Sequence, residues 1–220
     1  MEFKASENLA EQIRDYLANR IIGMELMPGE RILEAKLSEE LKVSRGPIRE
    51  ALRILEKEML VELIPRRGAR VTRLTEKDLH DLFDVLIEFL SILVRRCIEN
   101  CDDDHRRRLQ DACDTLENNA HQGDTNAYIS ALFEFINVGL EAAFNPLLSR
   151  VLNELMPSIK RVQYLSMRYL DRKLEHNLHY FKELTRYVGL RNAEMGVKVI
   201  RDYVTNEFDI AIKALDSLNN

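Results

Sequence analysis

Ser38-Glu39-Glu40-Leu41-Lys42-Val43-Ser44-Arg45-Gly46-Pro47-Ile48-Arg49-Glu50-Ala51-Leu52-Arg53-Ile54-Leu55 is the stretch whose reading decides the fold. Leu37 and Leu41 lie one helical turn apart, which predicts a short helix over Glu34–Leu41. Lys42-Val43 makes a tight turn, and Ser44 is a residue type that starts a helix, here running to about Glu58. Two short helices around such a turn form a helix-turn-helix. At about 100° per residue, Arg45, Arg49 and Arg53 share one stripe of the second helix, while Ile48, Leu52 and Leu55 share another. The apolar stripe has to pack, which leaves the guanidinium stripe free to enter a DNA groove.

Downstream, Val61–Ile64 and Ala69–Thr72 are β-prone runs around Pro65-Arg66-Arg67-Gly68, a hairpin "wing". Upstream, Leu9, Ile13, Leu17 and Ile21 recur every four residues and predict a helix over Ser6–Ile22, with Ser6 at its cap. Glycine and proline punctuate the first seventy residues and then thin out, so short elements give way to long helices.

Charge divides the chain in the same place. Residues 1–74 hold 14 basic and 13 acidic side chains, and Ser44–Arg73 holds 8 against 4. The remainder is acidic, and the whole chain carries a net charge of -5. That balance argues against coating nucleic acid with the whole surface and for one small basic contact. The longest apolar stretch, around Val85 to Val94, is broken by Glu88 and is too short for a membrane helix. Residues Met1 to Glu7 lead directly into a helical pattern, so no signal peptide and a cytoplasmic protein are expected. Cys97, Cys101 and Cys113 fit reduced thiols on helices better than a disulfide framework or a zinc site.

In the same N-terminal segment, Pro28-Gly29-Glu30-Arg31, the Leu37–Leu52 run and Leu60–Val71 together resemble the GntR superfamily of bacterial transcription regulators. The resemblance implies a homodimer on a short palindromic operator in double-stranded DNA. Carried over residue by residue, it implies DNA contacts from Ser44, Arg45, Gly46, Pro47 and Arg49, with Gly68 approaching the minor groove. A further basic contact found in some members falls on Ala35, whose methyl group cannot supply it. On charge grounds, Arg31, Lys42, Arg66 and Arg67 are added as phosphate or wing contacts.

The expected fold is mainly α: a winged helix-turn-helix over 1–73 and an all-helical effector and dimerisation domain of six or seven helices over 74–220. Thr75 and Asp78 form a capping box, and Asp102, Asp124, Asn145 and Asn192 serve as start or stop signals. Helices are expected near 75–99, 103–121, 125–144, 146–169, 171–188 and 192–217. The Asn145-Pro146-Leu147-Leu148 junction and Asn192-Ala193-Glu194 resemble the FadR-type, or FCD, branch of the superfamily.

Many members of that branch hold a divalent metal through Asp-x-x-x-His and two further histidines. Here those positions read Leu132, Ile136, Phe181 and Tyr203, so no metal and no cofactor is expected. His176 and His179 stand near enough to rescue a site if the register shifts. Leu86 and Leu90, where members often carry Arg and Glu, suggest a drier interior or an interface. Leu132, Ile136, Phe181 and Tyr203 are either plain core or a pocket for a small-molecule effector, an organic acid or an apolar metabolite. Arg161 is the candidate anion holder. The expected function is a sequence-specific transcription regulator, a repressor or an activator, rather than an enzyme, because no nucleophile with a base is visible. The alternative is a protein-interaction module that uses the winged helix without DNA.

Overall fold

The computed structural model describes residues 7–65, 68–170 and 173–219. The chain divides into two compact units. One holds the residues up to Leu74 together with Glu154–Tyr164, and the other holds Thr75–Asn153 and Leu165–Asn220.

The first unit begins with α1 (Glu7–Ile22), β1 (Arg31–Ile32), α2 (Glu34–Leu41) and α3 (Arg45–Lys57). It continues with the hairpin β2 (Val61–Ile64) and β3 (Gly68–Val71). The three strands are ordered β1-β3-β2, antiparallel throughout, with Ile64 opposite Gly68 and Ile32 opposite Ala69. The two-residue β1 is too short to show a period of two, and β3 starts one residue earlier than the sequence reading placed it.

The core of this unit is built from the predicted faces. Ile13, Leu17 and Ile21 of α1 meet Ile48, Leu52 and Leu55 of α3, closed by Leu60, Val61, Ala69 and Val71. Leu9 was expected in that stripe but is exposed, and Ala10 takes the inward position. Between α2 and α3, Lys42 adopts the left-handed conformation at φ 54° and returns its N–H to the Ser38 carbonyl. The Ser38 hydroxyl donates to the Val43 carbonyl over 2.6 Å, which closes the helix-turn-helix corner.

Six further α-helices follow: α4 (Glu76–Asn100), α5 (Asp103–Gln122), α6 (Thr125–Ala142), α7 (Pro146–Tyr169), α8 (Leu178–Gly189) and α9 (Ala193–Asn219). A 3-10 turn, Leu174–Asn177, precedes α8, so the helix expected over 171–188 is broken there; residues 171 and 172 lie outside the described residues. Helix α6 stops two residues short of expectation, because Phe144 takes φ 48° and turns the chain into Asn145.

The caps expected after residue 74 are made, whereas the Ser6 cap lies outside the described residues. Thr75 Oγ1 accepts from the Asp78 N–H over 3.1 Å, and Asp78 accepts from the Thr75 N–H over 2.9 Å. Asp102, Asp124, Asn145 and Asn192 each accept from the N–H three residues on. Helices α4 and α9 pack most extensively, and a Cβ at Gly196 would collide with Ile98, so glycine sets their close approach.

One segment after residue 74 does not group with the other helices of the bundle. Glu154–Tyr164, the middle of α7, groups with the winged helix. Tyr164 packs on the winged-helix core, and buried Arg161 donates to Thr72.

Candidate nucleic-acid interface and the bundle cavity

Helix α3 buries one face completely: Ile48, Ala51, Leu52 and Leu55 are inaccessible to solvent. Arg45, Arg49 and Arg53 are all exposed on the other. Burying those side chains contributes roughly 1.5–3 kcal/mol for each large one, which locks the helix rotation and hence the direction of the arginines.

The helix start is open. Ser44 has N-cap geometry, but its hydroxyl makes no capping bond, and the first turn carries no acidic residue. Ser44 thus starts the helix as expected, with its exposed hydroxyl left for other partners. A helix start without a competing carboxylate presents its N–H groups and the positive end of its dipole to an anion. Pro47, in the first turn, forgoes an N–H that the helix does not use. Gly46 is exposed, and a Cβ built on it would meet nothing within 4 Å.

Two ion pairs fix this surface, and neither was legible in the sequence. Arg49 Nε donates to Glu34 Oε2 over 2.7 Å, joining α3 to the first turn of α2. Arg14 Nε contacts both oxygens of Glu58, at 2.8 and 3.0 Å, and ties α1 to the end of α3. The hydrogen bond to Glu58 raises the Arg14 pKa above its ordinary value, outweighing partial burial.

Arg31 is exposed on β1 directly opposite Arg70 on β3, and Glu62 of β2 stands on the far side of Arg70. Arg70 was missed as a candidate. The alternation of buried Ala69 and Val71 with outward Arg70 is the signal that could have found it. Lys42 is exposed at the helix-turn-helix corner. Gly68 has φ 85°, and a Cβ there would strike the Ile32 carbonyl, so its own sheet requires the glycine. Arg66 and Arg67 lie outside the described residues.

In the second unit, the four positions where the resemblance implies metal ligands face one cavity. Leu132, Ile136, Phe181 and Tyr203 all line it, with Leu90 and Cys97 beside them, around a space of about 60 Å3. The wall is apolar throughout. The rings of Phe135, Phe181 and Tyr203 stack edge to face at 5.2–5.5 Å. Leu86 is buried.

This donor set does not fit a divalent metal. His176 and His179 are both exposed, the latter stacked on Tyr180 at 3.8 Å. No group of three or more His, Cys, Asp or Glu side chains placed to hold a metal occurs among the described residues. The Cys97 thiol is held above its ordinary pKa by its hydrogen bond with Cys101 and by burial. Arg161 is not in the cavity wall. Its guanidinium reaches Thr72 Oγ1 at 2.6 Å and the Thr72 carbonyl, both within the first unit.

A polar knot that sequence patterning did not single out ties α9 to the turn before α8. Asn177 donates to buried Glu207, and Asn206 donates to Asn177 over 3.0 Å.

Two family models match the chain. Residues 9–71 match the family model described as bacterial regulatory proteins, gntR family, and residues 81–206 match the FCD domain. The chain is 30% identical over 185 residues to YdhC of Bacillus subtilis (strain 168), described as an uncharacterized HTH-type transcriptional regulator. That match covers 83% of this chain and 73% of the relative. It is 28% identical over 199 residues to a gluconate operon transcriptional repressor of Bacillus licheniformis, covering 90% and 77%. The solved structure of E. coli McbR/YncC shares the fold with a TM-score of 0.79 at 19% identity, over 96% of this chain and 99% of that one. No helix among the described residues is long and apolar enough to cross a membrane.

Proposed function

The chain belongs to the gntR family of bacterial regulatory proteins and carries an FCD domain, and on that premise we propose that it is a repressor binding a short palindromic operator as a homodimer. The observation that carries this reading is the face of α3: three exposed arginines set against a fully buried apolar stripe, beside an uncapped, carboxylate-free helix start. Arg45 and Arg49 read guanine edges, since a guanidinium fork matches O6 and N7. Ser44, Gly46 and Pro47 allow close approach at the helix start. Arg31 and Lys42 hold phosphates, as do Arg66 and Arg67 with Gly68 on the wing.

The FCD part senses a small molecule without the metal that its branch often uses. The effector shifts the population of dimers between arrangements whose recognition helices do or do not match major grooves about 34 Å apart. Relatives named as operon repressors support the regulatory direction.

Selection of genomic fragments by the purified protein tests the proposal, with sedimentation to establish the dimer. Enrichment of one short palindrome is the expected result. Equal retention of random fragments would overturn the operator reading, and no retention at all would favour a protein-binding winged helix.

A further inference from the structure

The cavity among α4, α5, α6, α8 and α9 lies where the FCD branch commonly places metal ligands, yet the one ligand-type side chain in its wall is Cys97, whose thiol is held protonated by Cys101 and burial. We propose that it binds a small uncharged apolar molecule directly, a single-ring aromatic or a short alkyl group, with no metal ion. This deepens the effector reading above and rests on it for any consequence at DNA; occupation of the cavity is a separate matter and is tested separately.

Three observations carry the inference. First, the chemistry of the wall selects the ligand. Leu132, Ile136, Phe181 and Leu90 offer carbon surface, and no Lys, Arg, His, Asp or Glu side chain lines the space. A carboxylate entering it would shed its hydration with no cation to replace the lost water, which disfavours acids and sugar acids. A divalent cation would meet the same penalty, since it needs oxygen, nitrogen or thiolate ligands.

Second, the space is not forced by packing. Gly139 lies buried in the interior of α6 and lines the cavity, and a Cβ there would meet nothing within 4 Å. Glycine lowers helix stability relative to alanine, so an emptiness that alanine could partly fill is kept at some expense. Gly196 is the contrast, because its neighbours Ile98 and Val94 leave no room for a side chain.

Third, size bounds the ligand. About 60 Å3 is smaller than the roughly 150 Å3 apolar cavity known in another protein to take benzene or xenon. A ring therefore enters with a rotamer change at Ile136 or Leu90, and nothing larger than one ring enters whole. The aromatic cluster of Phe135, Phe181 and Tyr203 supplies ring edges for a ring to stack against.

The experiment uses the full chain with methyl-labelled Leu, Ile and Val, titrated with benzene and, in parallel, with Zn2+, Ni2+, Mn2+ and citrate. Saturable shifts confined to methyls around the cavity, such as Leu90, Leu132, Ile136 and Leu184, are expected with benzene alone. Gly139→Val should abolish them by filling the space. Leu132→Ala, which enlarges it, should tighten binding of toluene at least severalfold. If either variant fails to fold, the wild-type titration still decides. Non-saturating shifts spread over the whole chain, or shifts at those methyls with a metal ion or citrate, overturn the proposal. Operator affinity measured in the same samples separates the two readings: cavity shifts with unchanged DNA binding leave the ligand class standing and refute its role as effector.

Discussion

Arg49, aimed outward from the recognition helix, is held by Glu34 of the preceding helix through a 2.7 Å bond from Nε to a carboxylate oxygen. The arginine is more than half exposed and the glutamate mostly covered, so the cation is positioned without being hidden. Only Nε is engaged by Glu34, which leaves the terminal guanidinium nitrogens facing solvent. On the proposed binding mode, the pair would cost some attraction to DNA, since Glu34 cancels charge beside Arg49. It also restricts the arginine to a narrow set of directions.

Glu34→Gln therefore separates affinity from specificity. Binding to a scrambled duplex should strengthen, because one repelling charge is gone. Discrimination between operator and scrambled duplex should fall, because Arg49 is no longer oriented. Stability should change by no more than about 1 kcal/mol, as for other pairs near the surface. Fluorescence anisotropy across a salt series measures both affinities; an equal loss on the two duplexes would mean that Glu34 only supports the fold.

Gly46→Ala tests whether the glycine serves DNA or the protein. Nothing within 4 Å resists the added methyl group, and helix propensity favours alanine by up to about 1 kcal/mol. The variant should unfold at slightly higher urea while binding operator more weakly. Unchanged operator affinity would show that no backbone approaches this position.

Arg45→Ala and Lys42→Gly divide base reading from phosphate holding. Losing a bidentate guanine contact should cost about 1–3 kcal/mol on the operator and little on other sequences. Lys42 sits at φ 54°, a conformation that glycine adopts freely, so Lys42→Gly should stabilise the fold. It should weaken binding evenly across sequences and lower the salt dependence by about one phosphate's share. Competition assays with operator and random duplexes read the difference; equal profiles for the two variants would refute the division.

What the sequence made legible follows from how far each interaction reaches along the chain. The caps at Asp102, Asp124, Asn145 and Asn192 bond to an N–H three residues away, so local reading finds them. Helical register alone brings Leu132 and Ile136 to one face of α6. Strand β1 was invisible, because two residues have no pattern and their partner, β3, lies nearly forty positions on. Glu34 and Arg49 are fifteen residues apart on different helices, so their contact exists only once the turn at Lys42 has closed. The break before α8 was missed because Leu174, Leu178 and Phe181 continue an apolar stripe that reads as one helix.

Arg161 shows the same limit most sharply, and it yields the last prediction. Its position in mid-helix suggested a ligand anchor in the bundle. Instead, its buried guanidinium donates to Thr72 Oγ1 and to the Thr72 carbonyl, 89 residues earlier. The Thr72 hydroxyl in turn donates to the Met59 carbonyl over 2.8 Å, so one cation braces the end of the wing. Arg161→Met keeps most of the apolar stem and removes the charge-assisted bonds, which should cost about 1.5–3 kcal/mol. Thr72→Val removes one acceptor and leaves the carbonyl, and should cost about 1 kcal/mol. Urea titration followed by circular dichroism measures both. Methyl shifts at the bundle cavity should be unchanged in Arg161→Met. A loss of benzene binding without a loss of stability would return Arg161 to the ligand site and refute its role as a brace.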